Sequence, residues 1–337
     1  MATIYDIARY VGVSAGTVSR ALSRPEKVLP DTRRRIEQAA ATLGYVPNAS
    51  ARTLKTQRSG KILITVPDIG NPFFAQILKG AEEAAQAAGY AVLLGDTEHQ
   101  AEREERYAQM LPRNQADGLI VLGHRLPPTA REIVRQLGAK APVVNGCEFD
   151  PTLGIPSVHI DNAAAARTAM EHLYGLGHAR IAVVGGPPDN PLHRQRLEGA
   201  RATALAHGRL ELLMPVPGDF SVESGHLAAT RFLGQSPAPT AAFCFSDQMA
   251  LGVLAACREL GIRVPEAFSV VGFDDLASSR YLSPPLTTIS QPMREIGVRA
   301  ARLLLAILRA EDVPRQQTLD FSLMLRGSTA PPPQKRP

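Results

Sequence analysis

The sequence predicts a small all-α unit at the N-terminus joined to a larger α/β unit of two lobes. Three observations carry this. Apolar residues in the first 45 positions recur at helical spacing, in blocks broken by Gly12, Pro25 and Gly44. From residue 61 onward, short apolar runs alternate with amphipathic stretches, the pattern of parallel sheets covered by helices. The charge is also unevenly placed. Residues 1–60 hold ten Lys/Arg and four Asp/Glu, whereas the rest of the chain holds 27 and 28.

Ile4, Ile7, Ala8 and Val11 form the apolar stripe of a first helix, which Gly12 ends while Val13 plugs the core. Ser14 suits an N-cap, and a second helix over 15–23 buries Val18, Ala21 and Leu22 before Pro25 stops it. A third helix starts at Asp31 as its N-cap and runs to Leu43. It buries Ile36, Ala39, Ala40 and Leu43, and Gly44 closes it. Helix, tight turn, helix and supporting helix make a helix-turn-helix, whose second helix enters the major groove of DNA. That helix lies within GTVSRALSRP, residues 16–25, and exposes Thr17, Ser19 and Arg20. Arg20 suits a forked contact to guanine or phosphate, and Thr17 and Ser19 suit phosphates and the groove wall. The basic excess independently marks a polyanion-binding module. On charge alone, a merely solvated basic face remains the alternative.

The stretch VPNASARTLKTQRSGKI follows. Asn48 can cap a short helix over 49–55 in which Leu54 is the one large apolar residue. Two readings stand here. One is a linker with a stray leucine. The other is a hinge helix that orders on DNA, where paired leucines of a dimer wedge a base step in the minor groove.

In residues 61–337, strands are predicted at 62–68, 91–96, 118–123, 142–146 and 180–186, with helices at 73–89 and 165–177. This length exceeds one comfortable core, so two lobes are expected, with a split near Ser157. The last helix, Met293 to Leu308, returns the chain to the first lobe. Ligands of such sheets bind beyond the carboxyl ends of the strands. Polar and aromatic residues in those places are Phe73, Phe74, His124, Arg125, Asp161, Arg196, Phe220, Ser246, Asp247, Asp274 and Gln291. Plainer roles compete with this one: core packing for Phe73, a helix cap for Asp161, a turn for Asp274, and a cap or brace for Asp247. As a set, aromatic faces with carboxylates and one arginine suit a neutral polyhydroxylated or heterocyclic small molecule.

An enzyme would show other signs. The chain has no Gly-rich phosphate loop followed by lysine, no paired metal ligands and no nucleophile elbow. In VVGGPPDN the prolines remove the amides a phosphate needs. No cofactor and no metal are expected. Cys147, Cys244 and Cys257 are odd in number and widely spaced, which fits buried free thiols. No apolar run approaches the ~20 residues of a membrane span. Asp6 and Arg9 interrupt any signal peptide, so a cytoplasmic protein is expected.

TIYDIARYVGVSAGTVSRAL followed by TRRRIEQAAATLGYVPNASARTLKTQRS resembles the headpiece and hinge of the lactose-repressor (LacI/GalR) family of bacterial transcription regulators. The resemblance implies a DNA-binding headpiece at 1–46, a hinge at 47–60 and, at 61–337, an effector-binding and dimerisation domain of the periplasmic sugar-binding fold. It implies base reading by Ala15, Gly16 and Arg20 and a minor-groove wedge at Leu54, followed by Lys55. Thr3, Tyr5, Ser14, Thr17, Ser19 and Asn48 complete the expected DNA-facing set. GDF, RLEG, FCFSDQMALG, VGFDD and PPLTTISQP resemble effector-domain landmarks. They carry effector contacts to Phe73, Phe74, Asp161, Arg196, Phe220, Ser246, Asp274 and Gln291, and His124 joins this candidate set. VPDIGNPFF, LGDTEHQ, DGLIVLGHRLP and IPSVHIDN resemble the branch that controls nucleoside uptake and catabolism. The implied partners are a pseudo-palindromic DNA operator, a second copy of the chain, and a nucleoside such as cytidine or a related sugar. Ribose, another pentose or a purine base are the alternatives. Asn190 stands where the purine-responsive branch places an arginine, which argues against a purine. A solute-binding protein and an enzyme of nucleoside metabolism are the readings from other classes. The proline-rich tail TAPPPQKRP has no leucine heptad, so a dimer is expected rather than a coiled-coil tetramer.

Overall fold

The computed structural model describes residues 2–45 and 58–333. The chain divides into two compact units, Met1–Ser59 and Gly60–Pro337. Asn48, Leu54, Lys55 and the expected hinge helix lie outside the described residues.

The first unit holds helices α1 (Ile4–Val11), α2 (Ala15–Ser23) and α3 (Pro30–Thr42). Thr3 and Asp6 start α1 with a reciprocal capping box. Gly12 ends it in the left-handed conformation, at φ 74°. Ser14 caps α2, accepting the Thr17 N–H at 3.1 Å. Ile7, Val11, Val18, Ala21, Ile36 and Ala39 pack into one core, each contributing by the area it removes from water. Arg35 Nη2 donates to the Val11 carbonyl at 2.7 Å and ties α3 to the end of α1.

Two expectations fail here. Leu22 is exposed, because α2 turns only its Val18 and Ala21 side inward. Asp31 does not cap α3, which begins at Pro30, a residue with no N–H to satisfy. Asp31 lies in the first turn, where its charge favours the helix dipole.

The second unit contains two six-stranded sheets. The first comprises β1 (Lys61–Val66), β2 (Ala91–Asp96), β3 (Gly118–Val121), β4 (Val143–Gly146) and β5 (Ser157–Ile160), closed by β11 (Gln316–Leu319). Its order is β11-β5-β4-β3-β1-β2, with every pairing parallel. The second comprises β6 (Ile181–Val184), β7 (Leu213–Val216), β8 (Ala241–Cys244), β9 (Ser269–Asp274), β10 (Thr287–Ser290) and β12 (Ser322–Met324). Its order is β12-β10-β9-β8-β6-β7, and the β12 edge alone is antiparallel. Helices α4 (Pro72–Ala87), α5 (Ala101–Ala108) and α6 (Pro128–Leu137) connect the first sheet. Helices α7 (Asn162–Gly175), α8 (Pro191–Ala206), α9 (Val222–Leu233) and α10 (Asp247–Glu259) belong to the second lobe. Strands β3, β4, β5, β6 and β8 are buried at every position, as parallel strands covered on both faces must be.

The chain passes between the lobes after β5, after β10 and between β11 and β12. The first crossing thus lies close to the expected split near Ser157. Ser157 begins β5, which completes the first sheet beside β4, and the crossing follows Ile160. The last helix, α11 (Met293–Leu308), returns to the first lobe through Ile296, Ala300 and Leu304.

Helices α4 and α11 cross at glycines. A Cβ on Gly80 would lie 2.0 Å from the Arg294 carbonyl oxygen, and one on Gly297 would lie 1.9 Å from that of Ile77. Both obstacles are backbone, so neither can swing aside. Gly297→Ala is expected to lower stability by about 1–3 kcal/mol through forced separation of these helices. The urea midpoint measured on the full chain checks this.

Candidate effector cleft and DNA-reading helix

In the first unit, α2 presents Gly16 and Arg20 to solvent, with Ala15, Thr17 and Ser19 half-buried. Thr17 Oγ1 lies 2.9 Å from Ser14 Oγ, so both hydroxyls first hold the helix start. The Thr3 hydroxyl likewise donates to Asp6 at 2.7 Å. Tyr5 and Tyr10 are exposed on α1. Arg20 is thus the long, exposed, forked donor of α2.

In the second unit, a cavity of about 200 Å³ opens beyond the carboxyl ends of the strands, between the lobes. Phe73 and Phe74 form its wall from the first lobe, their rings edge-to-face at 5.2 Å. Asn71 aims them. Its Oδ1 accepts the Phe73 N–H at 3.0 Å and starts α4, with Pro72 next. Phe220, after β7, and Phe245, after β8, face them from the second lobe. Phe220 adopts φ 70°, and its ring sits against Gly186, where a Cβ would lie 2.2 Å from Cζ. A Cβ on Gly185 would likewise lie 2.5 Å from His193 Nδ1. The glycine pair of VVGGPPDN therefore makes room for two rings rather than for a phosphate.

Arg196 reaches this wall from α8 and is 2% exposed. Its Nε donates to Asn162 Oδ1 at 2.9 Å, its Nη1 donates to the Phe245 carbonyl, and its guanidinium lies 3.6 Å over the Phe273 ring. Burial lowers its pKa to about 10, which still leaves it charged at neutral pH. Asp274 ends β9 and is 5% exposed. Burial raises its pKa to about 8, with Arg196 opposing the shift. Ser246 lines the cavity and caps α10, accepting the Met249 N–H at 3.1 Å.

Three expected contacts do not line the cavity. Asp161 is exposed and caps α7, accepting the Ala164 N–H at 2.8 Å. Its neighbour Asn162 points inward instead and holds Arg196. Gln291 stands behind Asp274, donating to Oδ1 at 2.7 Å, because the β9–β10 register pairs Ser290 with Asp274. His124 stands behind Glu148, with Nδ1 at 2.9 Å from Oε2. Asp247 braces the second lobe from within. It accepts from the Leu276 N–H, the Ser279 hydroxyl and the Thr288 hydroxyl, and burial raises its pKa to about 6.

Sequence reasoning missed Asp68, Glu148, Asp219 and Phe245 in the lining. Glu148 lies in GCEFD, which reads as an ordinary turn. The signal that was available was its place just after a buried strand. Asn190 is missed in a different way. Its Oδ1 caps α8 through the Leu192 N–H at 2.8 Å, while its Nδ2 donates across the lobes to Glu148 Oε2 at 3.2 Å. Gln195 to the Phe149 carbonyl at 3.3 Å adds a second link on the same side.

Residues 3–48 match the bacterial regulatory proteins, lacI family, and residues 170–329 match a periplasmic binding protein-like domain. The chain is 41% identical to the HTH-type transcriptional repressor CytR of Escherichia coli (strain K12), over 97% of this chain and 96% of that one. It is 33% identical to the HTH-type transcriptional repressor PurR of Photobacterium profundum, over 94% and 95%. The chain belongs to the LacI family. The lac repressor dimer bound to operator and the anti-inducer ONPF superposes with a TM-score of 0.88 at 30% identity, covering 98% of this chain and 99% of that one. As a LacI-family member the protein is a transcription regulator rather than an enzyme. Among the described residues, no helix is long and apolar enough to cross a membrane, and no group of three or more His, Cys, Asp or Glu is placed to hold a metal. All three cysteines of this LacI-family chain are free and buried.

Asp274 gives a pH dependence with a definite sign. Its carboxyl keeps a proton up to about 8 in the fold, whereas its ordinary value is 3.8. Between those values the native state holds a proton that the unfolded chain has released, so stability falls as pH rises through that window. Asp247 acts in the same direction over a narrower range. Asp274→Asn is expected to flatten the fall, and urea midpoints of both proteins at pH 5 and pH 8 check it.

Proposed function

We propose that the protein is a cytoplasmic, ligand-responsive repressor that binds a pseudo-palindromic operator as a dimer. A nucleoside such as cytidine closes the cleft and releases the DNA. The carrying observation is one chain that joins a basic helix-turn-helix unit to a cleft walled by Phe73, Phe74 and Phe220, with Arg196 and Asp274 at its floor. The relatives named as repressors support the sign of regulation.

Residues 1–46 act as the DNA-binding headpiece, 47–60 as the hinge and 61–337 as the effector and dimer domain. Arg20 reads a base edge, and the small Ala15 and Gly16 let the backbone approach. Thr3, Tyr5, Ser14, Thr17 and Ser19 contact phosphate and the groove wall, and Asn48, Leu54 and Lys55 serve the minor groove. Phe73 and Phe220 stack on the ligand ring, while Arg196, Ser246 and Asp274 take its polar edge.

A purine base is the weaker reading. Asn190 stands where an arginine would meet a purine, and its side chain is committed to α8 and Glu148. A thermal-shift screen of the full chain against nucleosides, bases and pentoses identifies the ligand class, because a bound ligand raises apparent stability. If pentoses alone shift the melt, the nucleoside is wrong.

Arg20→Ala is expected to cost about 1–3 kcal/mol of operator affinity and to relax sequence preference, measured by fluorescence anisotropy. Wild-type affinity falls steeply with added salt, as phosphate contacts require. Asp274→Ala is expected to keep operator binding and lose the ligand response. By linkage, the nucleoside binds the operator complex more weakly than the free protein, by the same factor with which it weakens DNA binding.

A further inference from the structure

Four carboxylates line the cleft, at both its floor and its rim. Glu148 and Asp274 lie at the floor, 6% and 5% exposed. His124 and Asn190 engage Glu148 Oε2, and no described residue bonds its Oε1. Gln291 engages Asp274 Oδ1 at 2.7 Å. Asp68 and Asp219 stand at the rim, one on each lobe. Each is fixed by a backbone N–H two residues on. Gly70 donates to Asp68 Oδ1 at 2.7 Å, and Ser221 donates to Asp219 Oδ1 at 2.9 Å.

The positive side is short by comparison. Arg196 is the one Arg or Lys that lines the cavity among the described residues. Arginine grips phosphate by offering a pair of parallel donors. Here Nε and Nη1 are committed to Asn162 and the Phe245 carbonyl, and the guanidinium plane lies on Phe273. The cleft therefore offers acceptors to hydroxyl and amino groups, and two of the three nitrogens of its one arginine are already engaged by the protein.

We propose that the cleft selects an unphosphorylated, donor-rich ligand and rejects its phosphate ester, with Asp68 and Asp219 setting that discrimination at the rim. This rests on the nucleoside reading for its choice of probe. A phosphate monoester carries about −1.5 to −2 charge near neutral pH. It meets Asp68 and Asp219 where it trails the ligand toward the rim. Phosphoryl transfer onto a ligand hydroxyl would then erase the signal, and hydrolysis of that ester would create it.

Calorimetric titration of the full chain with cytidine and with cytidine 5′-monophosphate tests this. Cytidine is expected to bind about tenfold more tightly or better, with added salt narrowing the ratio. Asp68→Asn with Asp219→Asn keeps both turn acceptors and removes both charges. This double variant is expected to narrow the ratio several-fold and to lose most of its salt dependence. Equal wild-type affinity for the two ligands overturns the proposal. An unchanged ratio in the double variant overturns the assignment to Asp68 and Asp219. If cytidine does not bind, the nucleoside reading fails by itself. Ribose against ribose 5-phosphate then decides phosphate rejection by the same ratio and the same variant.

Discussion

A guanidinium with 2% of its surface exposed needs partners on every side, and Arg196 draws them from four separate places in the second lobe. Asn162 comes from the start of α7, the Phe245 carbonyl from the end of β8, the Phe273 ring from within β9, and the field of Asp274 from its end. Leaving such a charge buried without those partners would cost several kcal/mol. The carboxyl edge of the second sheet is therefore held in one arrangement by one side chain. Phe220 and Phe245 face the cavity from that edge. Asp247 does comparable work one layer deeper, drawing Leu276, Ser279 and Thr288 to the start of α10.

The lobes are joined in two ways. Three passages of the chain limit how they can move, and polar links on one side of the cleft bring them together. Glu148 is central to the second. It lines the cavity, and it takes Asn190 from the other lobe. A ligand group that engages Glu148 therefore acts on the same carboxylate that links the lobes. The cavity lining and the link between the lobes thus share one carboxylate.

Much of the fold was legible because it rests on periodicity. The three helical blocks and the alternation of strands and helices follow from spacing alone. Errors gathered where a single residue had to be assigned to one side of an element. Leu22 has the spacing of a core residue, but a three-helix core this small turns it outward. Asp31 has cap chemistry, but Pro30 already begins the helix. Asp161 and Asn162 are adjacent, and which one turns inward toward Arg196 depends on where α7 starts, within a single residue.

By itself the sequence determined the two-unit organisation, the helix-turn-helix, the two-lobed α/β architecture and the aromatic, Arg-and-Asp character of the cleft. Those properties follow from hydrophobic period, turn residues and charge distribution, which are local quantities. Only the tertiary structure decided which polar groups line the cavity and which stand behind them. Glu148 lines the cavity in front of His124, Asn162 rather than Asp161 turns inward to hold Arg196, and Gln291 became the support of Asp274. Each of these outcomes depends on strand register or on contacts between segments tens of residues apart. No spacing rule within one segment encodes those distances.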